Sequence, residues 1–159
     1  MPDRLSHKAL GITEGEYLAA IEVRELFANN KLAFDDGDSP KQQNGFNMNV
    51  IVDQDECGTT CCIGGWMFLI MTRDRTTTST KASHYVQQER SRPLYPLFFP
   101  FTDVNRCDLH DDNGQAWDFP YELIPPAYAM AAIDNFLQTG DPDWPSVCGL
   151  RNLEVREDA

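Results

Sequence analysis

Cysteines supply most of the side chains in this sequence whose type and spacing could do chemistry. Cys57, Cys61 and Cys62 stand together, and Cys107 precedes His110 with C-x2-H spacing. Cys57 lies just before an apolar run that reads as a helix. Backbone N–H groups and the helix dipole would favour a thiolate there. The spacings C-x3-C and C-x4-C are not the C-x-x-C of thioredoxin-like proteins, so these residues do not form that redox motif. Cys57, Cys62 (or Cys61), Cys107 and His110 together would offer three sulfurs and one imidazole, a set that suits tetrahedral zinc. Thr59 and Trp66 join Cys57 and Cys62 as candidate ligand-binding residues. The simpler account is that the cysteines of the apolar run are small apolar residues in a packed helix. Ile63 and Trp66 look like core, and a chain of 159 residues needs no metal to fold. No cofactor is therefore expected, with zinc as the alternative.

Other chemistry has less support. Asp108, Asp111, Asp112 and Asn113 precede Gly114. Aligning that glycine with the sixth position of an EF-hand loop puts Leu109 first and Pro120 twelfth, so the calcium motif fails. There is no phosphate-binding glycine loop, no G-x-S-x-G, no H-E-x-x-H and no kinase signature. His84 and His110 could act as bases, but nothing sets them beside a nucleophile. The catalytic residues are thus unassigned, and the sequence reads more as a non-enzyme than as an enzyme.

The elements that must position these residues are mainly helical. Thr13 and Glu16 have capping-box spacing, and Tyr17, Leu18, Ile21, Val23, Leu26 and Phe27 supply an apolar face for a helix ending near Asn29 or Asn30. Residues 35–45 are polar and read as an exposed loop. Alternation from Phe46 to Val52 suggests a short extended segment. The run from Cys61 to Met71 carries no charge, and its length favours a helix buried on most sides, capped by Thr59 or Thr60. Gly64 and Gly65 weaken such a helix, so a neighbouring backbone or ring should press close to them. The Thr-rich stretch 72–83 reads as loop, with a short helix around His84 to Arg90. Pro93, Pro96 and Pro100 argue against a regular helix and for an apolar segment laid over the core. A last helix should begin near Pro125-Pro126, carry Ala129, Met130, Ile133, Phe136 and Leu137 on one face, and end at Gly140. The expected fold is mainly α, with α+β as the alternative. It is a single domain over residues 1–159, built around a buried central helix with at most a short extended segment near 46–52. Residues 1–11 and 151–159 are expected to fray.

Charge narrows the partners. Thirteen Lys and Arg face twenty-five Asp and Glu, a formal charge of −12. Such a field repels nucleic acid and anionic membranes and favours basic protein surfaces. No window approaches the roughly 20 apolar residues of a membrane span, and no apolar stretch like a signal peptide follows the N-terminus. A soluble, cytoplasmic protein is expected, with a basic protein as partner, no direct nucleic acid and no membrane. The sequence does not set the oligomeric state.

Phe46-Asn47-Met48, followed by Cys57-Gly58-Thr59-Thr60-Cys61-Cys62-Ile63-Gly64-Gly65-Trp66, resembles a family of small bacterial and phage proteins with the pattern F-x-M, then C-G-T-x-x-C-I-x-G-W. The later helix ending near Thr139-Gly140, with Trp144 after it, is similar too. The resemblance implies that Cys57 and Cys62 are the family's pair, since Cys61 stands where alanine is expected. It implies no particular activity. Together with the charge, it points to an acidic accessory or interaction protein, of phage type, that binds a host macromolecule without catalysis, as an inhibitor or nucleic-acid mimic. The alternative is a thiol, zinc or small-ligand site centred on Cys57 and Cys62.

Overall fold

The computed structural model describes residues 3–35, 44–55, 58–73, 79–100, 109–110, 121, 124–149 and 151–152. Among these, helix predominates and a small four-stranded sheet completes an α+β domain.

The chain opens with one helical turn, α1 (His7–Leu10), capped by Ser6 and closed by Gly11 at φ 75°. Leu10 is buried, and the Leu5 N–H donates to the Leu137 carbonyl at 2.7 Å, which ties this end to the last long helix. Helix α2 (Glu14–Ala28) begins with the capping box that Thr13 and Glu16 encode. The Glu16 N–H donates to Thr13 Oγ1 at 3.0 Å and the Thr13 N–H donates to Glu16 Oε1 at 3.1 Å. Its buried face is Glu16, Ala19, Ala20, Val23 and Phe27. Leu18 is on the opposite side, 56% exposed, and so is not part of the core face.

Strands β1 (Ala33–Phe34), β2 (Asn44–Phe46), β3 (Val52–Asp55) and β4 (Gly58–Cys61) lie in the order β1-β2-β4-β3. The β1–β2 and β2–β4 pairs are parallel, and β3–β4 is antiparallel, with Val52 opposite Cys61. The sheet exceeds the single short segment expected near 46–52. There the chain leaves β2 at Phe46, turns through Asn47 to Ile51, and enters β3 at Val52. The turn is fixed by side-chain bonds: Asn47 Nδ2 donates to the Asp35 carbonyl at 2.7 Å, and Asn47 Oδ1 accepts from the Asn49 N–H at 2.8 Å. Thr60 Oγ1 donates to Asp35 Oδ2 at 2.7 Å, so the buried carboxylate is partnered.

Helix α3 (Ile63–Thr72) is the expected central helix, with a later start. Cys61 belongs to β4, and Cys62, not Thr59 or Thr60, is the N-cap. Strand pairing holds the chain extended through Cys61, so the helix opens only after it. Ile63, Gly64, Gly65, Trp66, Met67 and Leu69 are buried. Both glycines have close neighbours, as expected. A methyl at Gly64 would come within 2.9 Å of Val86 Cγ2 and 3.2 Å of the Phe98 ring, and one at Gly65 would strike the Ile51 carbonyl oxygen.

Helix α4 (Ser79–Val86) lies earlier than the helix expected around His84 to Arg90 and takes part of the Thr-rich stretch read as loop. The proline-rich segment, expected to avoid helix, forms one turn, α5 (Tyr95–Phe98), with Pro96 in the first turn where its missing N–H is unneeded. Leu94, Leu97 and Phe98 cover the core. Helix α6 (Pro126–Thr139) runs to Gly140, which closes it at φ 87°. Helix α7 (Trp144–Val147) follows, and Trp144 Nε1 donates to the Pro96 carbonyl at 2.9 Å. Strands β5 (Leu109–His110) and β6 (Arg151–Asn152) pair antiparallel as a separate ribbon. No helix among the described residues is long and apolar enough to cross a membrane.

Candidate functional site

The cysteine-centred residues are placed by the β4–α3 junction. Cys62 is 2% exposed. Its Sγ accepts from the Gly65 N–H at 3.4 Å, and its own N–H donates to the Val50 carbonyl at 2.6 Å. Burial raises its pKa to about 11, against the pull of the backbone N–H groups at the helix start. In this arrangement Cys62 is a neutral capping thiol. The dipole that could activate a cysteine is outweighed by loss of solvent. Cys148 is likewise pushed up to about 12 by burial. Trp66 is 1% exposed and its Nε1 donates to the Gly45 carbonyl at 2.8 Å, which pins α3 to β2. Thr59 is half-buried in β4, within 3.5 Å of Gln54 Nε2.

Of the proposed zinc set, only Cys62 and its alternative Cys61 are described with their side chains. Cys57 and Cys107 lie outside the described residues, as does most of the acidic loop, and His110 is described only as a backbone position in β5, opposite Arg151. Among the described residues, no three His, Cys, Asp or Glu side chains come together in a way that could hold a metal.

Two surface features were not predicted from the sequence. The first is a groove of about 290 Å³ between α2 and the end of α3, lined by Gly15, Leu18, Glu22, Ile70, Met71 and Arg73. Leu18 stands in it with Glu14, Glu22 and Glu25 on the same helix face, at helical offsets of four and seven residues. Arg73 reaches Glu22 at 3.3 Å, with the Arg73 side chain mostly in solvent and Glu22 partly so. Such a pair holds its partners weakly. Glu25 is met in turn by Arg24 at 3.4 Å, so these three carboxylates face two guanidiniums, a surplus of one negative charge. The signal was readable: Glu14, Leu18, Glu22 and Glu25 share a helical period, but counting Leu18 toward the core face concealed it.

The second feature is a polar cleft of about 470 Å³ beside α4, lined by His84, Tyr85, Gln87, Gln88, Glu89 and Arg92. The Tyr85 hydroxyl donates to Glu16 Oε2 at 2.7 Å. Glu16 is 4% exposed, so both of its oxygens are used, one by the capping box and one by Tyr85. Burial, and then the Glu16 carboxylate, hold the Tyr85 phenol well above its ordinary range, with Arg92 pulling the other way. This phenol stays protonated and acts as a fixed donor.

No family model, curated protein or solved structure matches the chain.

Proposed function

We propose that this chain is a non-catalytic interaction protein whose α2–α3 groove receives an apolar anchor from a basic segment of a partner protein. The observation that carries this reading is Leu18, a large apolar side chain left 56% exposed in a groove with Ile70, Met71 and Glu22, with Glu14 and Glu25 at helical offsets from it on α2. Exposed apolar residues with a polar rim are the usual anatomy of a binding patch. The carboxylates select a cationic partner, and the −12 charge of the whole chain steers it in. On this reading the acidic field competes with nucleic acid for a basic protein. That fits an inhibitor of the phage type, to which the F-x-M and C-G-T-x-x-C-I-x-G-W residues bear a resemblance.

The test uses a fluorescently labelled amphipathic helical peptide of Lys and Leu, titrated with the full chain. Binding should weaken as salt rises, because exposed charges are screened. Leu18→Asp should weaken it by about tenfold or more, the scale of a lost apolar anchor. Leu18 is exposed, so this variant keeps the fold. Equal affinity for wild type and Leu18→Asp would overturn the proposal.

A further inference from the structure

The α2–α3 groove already holds one cation, and it comes from the chain itself. Resting on the groove reading above, we propose that Arg73 keeps the place of a partner's arginine: the cation that docks beside Leu18 is a guanidinium, and it takes Glu22 over from Arg73. The first observation is geometric. Arg73 Nη1 donates to Glu22 Oε2 and Arg73 Nη2 donates to Glu22 Oε1, each at 3.3 Å. Two side-by-side bonds to two oxygens are the fork of a guanidinium on a carboxylate, which an ammonium does not reproduce. Leu18 and Glu22 both line the groove and lie one turn apart on α2, so a single partner segment reaches both.

The second observation is how differently the two nearby arginines are held. Arg24, beside Glu25, also bonds Asp134 on α6, through Nε at 3.0 Å and Nη2 at 3.4 Å, with its side chain mostly out of solvent. It ties two helices together and stays in place. The Arg73 side chain is mostly in solvent and, among the described residues, bonds to Glu22 alone. Its backbone closes α3 at φ 53°, a conformation that favours glycine, so the helix end does not call for an arginine. An exposed pair of this kind is worth at most about a factor of five in an equilibrium, which a docking segment can overcome. A partner that covers Leu18 covers Glu22 as well, and a carboxylate taken out of water must keep its donors. Exchange of one guanidinium for another keeps both bonds and returns Arg73 to water.

The experiment titrates the full chain and its variants against two labelled helical peptides of equal length and charge, one of Arg and Leu and one of Lys and Leu. The Arg/Leu peptide should bind wild type about threefold or more tighter than the Lys/Leu peptide, and Glu22→Gln should abolish that preference. Arg73→Gly keeps the positive-φ cap of α3 and should tighten the Arg/Leu peptide by about two- to fivefold. The gain should vanish in the Glu22→Gln background. Lys31→Gln removes the same unit charge from an exposed site past the far end of α2 and should not reproduce the gain. Unchanged or weaker binding by Arg73→Gly would overturn the proposal, as would a gain equalled by Lys31→Gln or persisting in Glu22→Gln, or an Arg/Leu peptide no tighter than Lys/Leu. Leu18→Asp separates the two levels. If it weakens both peptides while Arg73→Gly brings no gain, the arginine exchange fails and the groove stands; if it weakens neither, both fail.

Discussion

At the level of single residues, Cys62, Cys148 and Tyr85 have their ionisation set by their surroundings. Cys62 has a folded pKa of about 11 against an ordinary 9.0. The folded state therefore holds its proton more tightly, and between those values the folded chain binds more protons than the unfolded one. Stability is intact below about pH 9 and falls as pH rises toward 11. Cys148 extends the same trend upward. Denaturant melts across this window should show the loss, and Cys62→Ser should blunt it, because serine retains an N-cap acceptor and does not titrate there. A Cys62→Ser profile as steep as wild type would disconnect Cys62 from the alkaline loss. Tyr85 makes a second residue-level case. Tyr85→Phe deprives buried Glu16 Oε2 of its donor and should cost about 1.5–3 kcal/mol in urea unfolding, the range for bonds to charged groups. A loss near zero would mean that water replaces the phenol.

At the scale of the element, the three glycines of α2 and α3 order themselves by what surrounds them. Gly65 lies against the Ile51 backbone, which cannot step aside, so Gly65→Ala should destabilise by about 3 kcal/mol or more. Gly64 meets the side chains of Val86 and Phe98, which can shift, and Gly64→Ala should cost about 1–3 kcal/mol. Gly15 is exposed, with only Thr13 Oγ1 near, at 3.9 Å, and Gly15→Ala should gain about 0.5 kcal/mol from helix propensity. Thermal melts of the three variants check the ranking.

The same elements show what the sequence could reveal. The Thr13 and Glu16 capping box, the buried run of α3 and the Gly140 end of α6 are written in local signals, since each depends on residues within a turn or two. The sheet is not. Its strands are two to four residues long, two of its three pairings are parallel and join distant parts of the chain, and no period of two can develop over such lengths. Alternation at 46–52 was visible, yet Asn47 turns the chain there by bonding to Asp35, twelve residues away. The start of α3 was misplaced for a related reason, because pairing of Cys61 with Phe46 and Val52 outweighs its apolar character. Of the candidate site, Cys62 and Trp66 stood out by residue type. The α4 cleft depends on Tyr85 meeting Glu16 across 69 positions, which no spacing rule detects.

At the scale of the whole molecule, charge and shape must act together. A chain at −12 repels itself, so added salt should raise its melting temperature even as it weakens capture of a basic partner. Opposite salt responses of stability and binding are expected from one acidic surface, and scanning calorimetry beside the peptide titration would show them. If both moved in the same direction, the charge would not be acting through the surface as described. The most direct test of the central claim is an NMR map of the full chain with the Lys/Leu peptide bound. The groove reading predicts shifts concentrated on Leu18, Glu22, Ile70 and Met71. Shifts spread evenly over the acidic surface, with Leu18 unmoved, would contradict it.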